Sequence, residues 1–185
     1  DPSLPHIPGG LDDFFPDQLN VVSYFGNRDK LLTIPFDTTT MILFYRKDIF
    51  DRYKADFMAD KGYDWSPGGI SFTWERYIEI AKWIDENVPD DEVRYGSGQM
   101  AQAHNSIYCE FSNVLSAYGG DYFADNNANT LGIRAPSQLL MDQSAFIKSL
   151  AIYKQVVKAA APDSINWNWD DLARAFMQGD IAMMT

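Results

Sequence analysis

IPFDTTTMILFY, residues 34–45, decides how this chain is read. Both ends look like a buried strand: Ile34-Pro35-Phe36 on one side, Met41 to Tyr45 on the other. Between them Asp37, Thr38, Thr39 and Thr40 stand in a row. A strand buried on both faces reads as a near-continuous apolar run, and polar groups taken out of water must find partners. Four in succession imply either a solvated face of ordinary β-formers or a place where something uses them.

Working outward, residues 1–30 are rich in Pro, Gly and Asp, which predicts loop with one short helix. KLLTIPF, residues 30–36, reads as a first strand and TTMILFY, residues 39–45, as a second. Ile49, Phe50, Tyr53 and Phe57 then recur at helical spacing, with Asp48 placed as cap, and 59–72 is turn-rich. Thr73 caps an amphipathic helix carrying Trp74, Tyr77, Ile78, Ala81, Ile84 and Val88 up to Pro89. VRYGSG, 93–98, reads as a short strand. Asn105 or Ser106 opens a helix with Tyr108, Phe111, Val114, Leu115 and Tyr118 on one face, and Gly119 suits a left-handed end.

The stretch 119–133 predicts a polar loop with a small hairpin. The longest helix is expected from Ser144 to Ala161, with Phe146, Leu150, Tyr153 and Val157 inward and Pro162 as its stop. Asn168 caps a last helix that ends at Gly179, and IAMMT, 181–185, reads as a strand. The order is α/β with helices outnumbering strands and a sheet that looks incomplete.

At 185 residues the chain buries about 70% of its unfolded surface without metals or bridges. Net charge is -11, which disfavours phosphate backbones and anionic lipid as partners. The single cysteine, Cys109, excludes an internal disulfide and a Cys-cluster zinc site. Neither a membrane-length apolar run nor a signal peptide is evident, and Asp1-Pro2-Ser3 reads as the start of a processed or excised piece. HExxH, GxSxG and phosphate-cradling glycine motifs are missing. A glycoside hydrolase or lyase is the rival enzymatic reading, with Asp37, Glu110 and Asp121 as its carboxylates. Among 26 acidic residues such a trio arises by chance, so the expectation is a binding protein with no catalytic residue, cofactor or metal.

LLTIPFDTTTMILFYRKDIF, TWERYIEIAKWI, VLSAYGGDYFADNN, FIKSLAIYKQVV and WDDLARAFMQGDIAMM resemble, in order and spacing, the extracellular solute-binding proteins of bacterial ABC importers. The sugar-binding, maltose-binding-protein-like branch is the most similar. Arg46 departs from the usual Asn of that pattern, and 54–72 is longer than the family's link.

The resemblance implies a type II, periplasmic-binding-protein-like two-lobed α/β fold, of which this chain is a central fragment. Residues 1–40 would be the tail of lobe one with the crossing strand, and 41–185 most of lobe two. It implies a monomer, periplasmic or extracellular, lipid-anchored if at all through a segment absent here. Such a protein captures a carbohydrate between lobes and hands it to a membrane permease. The polar middle of 34–45 would then border the inter-lobe groove, making Asp37, Thr38 and Thr39 ligand contacts.

Two further stretches are candidates. AQAHNSIYCEF, 101–111, leaves a strand for a helix, where open α/β sheets bind ligands, and offers His104, Asn105 and Tyr108. NWNWDD, 166–171, carries Trp167, expected in the cleft, and Trp169, expected as a hydrophobic staple. Trp65 and Tyr122 are weaker candidates.

Overall fold

A computed structural model describes residues 8–37, 40–124 and 138–185. The described residues of 1–40 and 122–141 form one unit, and those of 41–121 and 142–185 another.

In the first unit, a single 3-10 turn at Gly10–Asp13 precedes Pro16–Gln18, where Pro16 takes a first helical position, and a wider turn at Leu19–Ser23. Leu32 N–H donates to Ser23 O at 2.8 Å. The strand expected at 30–36 does not form. Pro35 has no N–H for a ladder, and Ile34 and Phe36 are exposed. Of the expected hairpin, Phe123 and Leu139 make one antiparallel bridge; 125–137 lies outside the described residues.

The second unit is helix-rich around a minimal sheet. The long strand expected up to Tyr45 contracts to β1, Phe44–Tyr45, paired antiparallel with β2, Met183–Met184, in the register Phe44↔Met184. Tyr95 bridges Ile181 in parallel, so VRYGSG and IAMMT contribute less strand than expected. Segment 180–184 is nonetheless the middle of three extended stretches. Ala182 O accepts from Arg46 N–H (2.8 Å), Ala182 N–H donates to Tyr95 O (2.9 Å), and Met183 O accepts from Gly98 N–H (3.0 Å).

Helix α1, Lys47–Lys61, runs past Phe57 and ends on Gly62 in the left-handed region. Its N-cap is Arg46 rather than Asp48. Asp48 instead takes both Arg46 Nε (2.8 Å) and Nη2 (2.6 Å), and this fork holds its carboxyl at about 2. Arg46 Nη1 reaches Gly179 O at 3.3 Å, tying β1 to the end of the last helix. Helix α2, Trp74–Asn87, starts as expected on Thr73, whose side chain accepts from Arg76 N–H. Helix α3 is Ser106–Ala117, with Gly119 left-handed beyond it (φ 70°).

Helix α4, Ser144–Lys158, buries Phe146, Ser149, Ile152, Tyr153 and Val156. Leu150, expected inward, is 46% exposed, because α3 and α2 meet the 149–153–156 stripe instead. Helix α5, Trp169–Gln178, carries a full capping box. Asn168 accepts from Asp170 N–H and Asp171 N–H, and Asp171 accepts from Asn168 N–H.

Trp65, a rim candidate by sequence, is core at 1% exposure. It stacks on Phe57 (4.5 Å), meets Trp83 edge-on (5.2 Å), and donates Nε1–H to Phe50 O (3.1 Å). An aromatic with its polar atom satisfied is stable inside, so Trp65 turns inward while 54–61 extends α1 and 68–71 stay exposed.

The sheet and α2 touch at Gly96, where a Cβ would sit 2.0 Å from Ala81 O. Backbone on both sides cannot yield as a side chain does. Gly96→Ala is expected to destabilise the unit by about 3 kcal/mol, read by urea unfolding.

Candidate functional site

β1 runs against β2 while 95–98 runs with it, so one edge of this small sheet collects the exits of 95–98 and 181–184 and the entry of β1. Met100, Thr185 and Met41 lie there. Met41 and Trp167 both pack on the apolar layer of Met100, Leu172 and Ile181. Carboxyl ends of strands are where open α/β sheets leave room for ligands.

The chain leaving 95–98 is held residue by residue. Gln99 N–H donates to Ser164 Oγ (3.1 Å) and Met100 N–H to Glu110 Oε1 (2.6 Å). Ala101 N–H donates to Ser164 O (3.0 Å) and Gln102 N–H to Trp167 O (3.1 Å). These bonds bring 101–105 beside 164–169, joining two of the three segments singled out from sequence. His104 Nδ1 accepts from Ser106 N–H (3.2 Å), so the imidazole serves the first turn of α3 where Asn105, the N-cap, makes no side-chain cap bond. Its ring meets Trp169 edge-on at 5.6 Å.

The staple position expected of Trp169 is taken by Trp167 instead. Trp167 precedes the Asn168 cap and packs with Leu172, the fourth helical residue, which is the staple geometry. Its ring lies over Gly98, where a Cβ would come within 3.0 Å. Trp169 is the exposed one, at 41%. Asn105 and Tyr108 are also exposed, and Asp37 is exposed in the other unit. Thr38 and Thr39 lie outside the described residues.

Sequence reasoning missed a groove of about 470 Å³ on this same edge, lined at its mouth by Met41 and Thr185. Trp74, Tyr77 and Tyr118 supply ring surface, and Glu75 and Asn113 supply hydrogen-bonding groups. Glu75 Oε1 accepts from Tyr118 O–H (2.6 Å), which leads the causes lowering its pKa, while Lys148 Nζ sits 4.6 Å over the Tyr118 ring. The available signal was positional. Trp74 opens α2 and Tyr118 follows α3, so both rings pack on the core from helix ends and stay partly exposed.

Glu110, one of the rival enzyme's carboxylates, is 1% exposed. One oxygen accepts from Met100 N–H (2.6 Å) and the other from Tyr153 O–H (2.9 Å). Both oxygens are engaged inside the core. Among the described residues no group of three or more His, Cys, Asp or Glu is placed to hold a metal.

Burial pushes the Glu110 carboxyl up to about 7 from an ordinary 4.5. Between those values the native state holds more protons than the unfolded chain, so stability falls as pH rises. The loss totals about 3 kcal/mol at 1.36 kcal/mol per unit. Urea unfolding from pH 4 to 8 is expected to show it, and Glu110→Gln to remove it.

A family profile described as bacterial extracellular solute-binding protein matches residues 7–185. No curated protein and no solved structure matches the chain. With that match over nearly its whole length, an α/β unit with no helix long and apolar enough to cross a membrane among the described residues, and an open groove at its strand ends, the chain belongs to the bacterial extracellular solute-binding proteins.

Proposed function

We propose that this protein is the substrate-binding component of a bacterial ABC importer and captures a mono- or oligosaccharide outside the cytoplasmic membrane. The observation that carries the reading is the pairing of ring surfaces with hydrogen-bonding groups along one edge. Trp74 and Tyr118 flank the groove beside Glu75 and Asn113, and Trp169 stands exposed by His104. Aromatic faces suit the apolar faces of pyranose rings, and carboxylates and amides suit their hydroxyls. His104, Asn105, Tyr108 and Trp167 belong to this proposed site, with Asp37, Thr38 and Thr39 contributed by the polar run at 37–39.

The mechanism proposed is hinge closure of two lobes, residues 1–40 ending the first and 41–185 forming most of the second. Solute held by both lobes biases the closed form through its differential contacts. The closed form then engages the permease. No chemistry is required of any residue, and the working species is a monomer.

A thermal-shift screen against maltose, cellobiose, raffinose and their monosaccharides, followed by calorimetry, tests this reading. Trp74→Ala is expected to weaken the best sugar about tenfold, close to 1.4 kcal/mol. A screen in which no carbohydrate binds, while an amino acid or peptide does, would replace the substrate class.

A further inference from the structure

Solute capture by the groove does not account for Glu110. Burying a carboxylate is costly, and an apolar residue of similar volume is often neutral or stabilising in its place. What distinguishes this one is where its two hydrogen bonds lead. Met100, the donor at 2.6 Å, is the first residue of the path into the turn that carries His104 and Asn105. Tyr153, the donor at 2.9 Å, lies in the middle of α4. Glu110 itself lies in the second turn of α3. One ionisable group thus joins the turn, α3 and α4 at a single point inside the core.

We propose that Glu110 is a positioning residue for the solute-facing turn, setting the placement of residues 100–105 through its bond to the Met100 amide and relaxing that placement when it takes up a proton. The proposal rests on the reading of this turn as part of the solute-binding face.

A hydrogen bond to an ionised acceptor is shorter and roughly twice as strong as a neutral one. On protonation the carboxyl keeps one acceptor oxygen for Met100 N–H and turns its new O–H toward Tyr153, whose hydroxyl then accepts. The Met100 bond loses its charge assistance and lengthens. The groups facing Glu110 leave that change uncompensated. From α4 it meets the Tyr153 phenol, and from α2 the Tyr77 phenol, which also takes Gln99 Nε2–H at 2.9 Å. Both phenols are pushed up by burial and stay neutral in this range. No cation is among the causes that shift Glu110, and its ordinary carboxyl range is displaced to about 7.

The test uses 1H–15N spectra of the labelled protein from pH 5 to 9 without solute. It is run in the His104→Asn background, so that the one imidazole in this turn makes no contribution to the shifts. The Met100 amide proton is expected to move upfield as pH falls, with a midpoint near 7. The amides of 101–105 should share that midpoint. Glu110→Gln keeps the Met100 bond, reverses the Tyr153 bond so that the amide donates to the phenol oxygen, and should remove the midpoint from all of them. Tyr153→Phe removes a donor to the carboxylate and should raise the midpoint.

Three results would overturn the proposal: a Met100 amide that does not titrate, a Met100 amide that titrates while 101–105 stay fixed, or a shared midpoint that survives Glu110→Gln. Should that variant fail to fold, an unchanged midpoint in Tyr153→Phe has the same force. Maltose, cellobiose and raffinose titrated into the wild-type protein at pH 6 and 8 separate the two claims. If none binds at either pH while the shared midpoint is present, the solute-facing reading fails and the Glu110 brace stands.

Discussion

The second unit depends on one extended segment, 180–184, being hydrogen-bonded on both sides. Ile181, Ala182 and Met183 are fully buried, and Ala182 bonds to Arg46 with its oxygen and to Tyr95 with its nitrogen. Residues about 135 positions apart in sequence therefore meet across a strand that is itself nearly the last part of the chain. Loop-closure entropy must be met before such contacts contribute. Once it is met, the entry of β1, the exit of 95–98 and Thr185 are fixed to one edge, and with them the part of the groove lined by Met41 and Thr185.

That edge divides two kinds of polar group. Inside it, Ser97, Gln99, Ser106, Glu110 and Ser164 are buried and hydrogen-bonded, two of them, Glu110 and Ser164, to the backbone amides of Met100 and Gln99 as the chain leaves the strand. Outside it, Asn105, Tyr108 and Trp169 reach solvent. A turn so held at its base presents its tip with little freedom, and low freedom in the unbound state reduces what binding must spend in ordering it. The family is one of binding proteins, and in this chain the Glu110 carboxyl, raised by burial, is sealed in the core.

The aromatic residues show how location was decided by context rather than by composition. Trp65 sits in a Pro/Gly-rich link that suggests exposure, yet it stacks on Phe57 and meets Trp83 edge-on, with its Nε1–H donated to Phe50 O. Trp167 and Trp169 are two residues apart in one motif. The cap at Asn168 turns the chain between them, sending the first onto Gly98 and Leu172 and the second toward His104.

Where local rules suffice, the sequence by itself determined the outcome. Thr73, Asn168, Gly119 and Gly179 mark helix ends that satisfy their own backbone groups, and these ends fall as residue chemistry dictates. The α/β order and the family likeness were equally legible, because helical periodicity survives in any context. Strand lengths were not. A strand exists only where a neighbour pairs with it, so among the described residues of IPFDTTTMILFY two, Phe44 and Tyr45, are strand, beside Met183 and Met184. The groove, the staple position of Trp167 and the inward placement of Glu110 belong to the tertiary structure alone. Each depends on which distant segment arrives at a given face, and the spacing of residues along one segment does not contain that information.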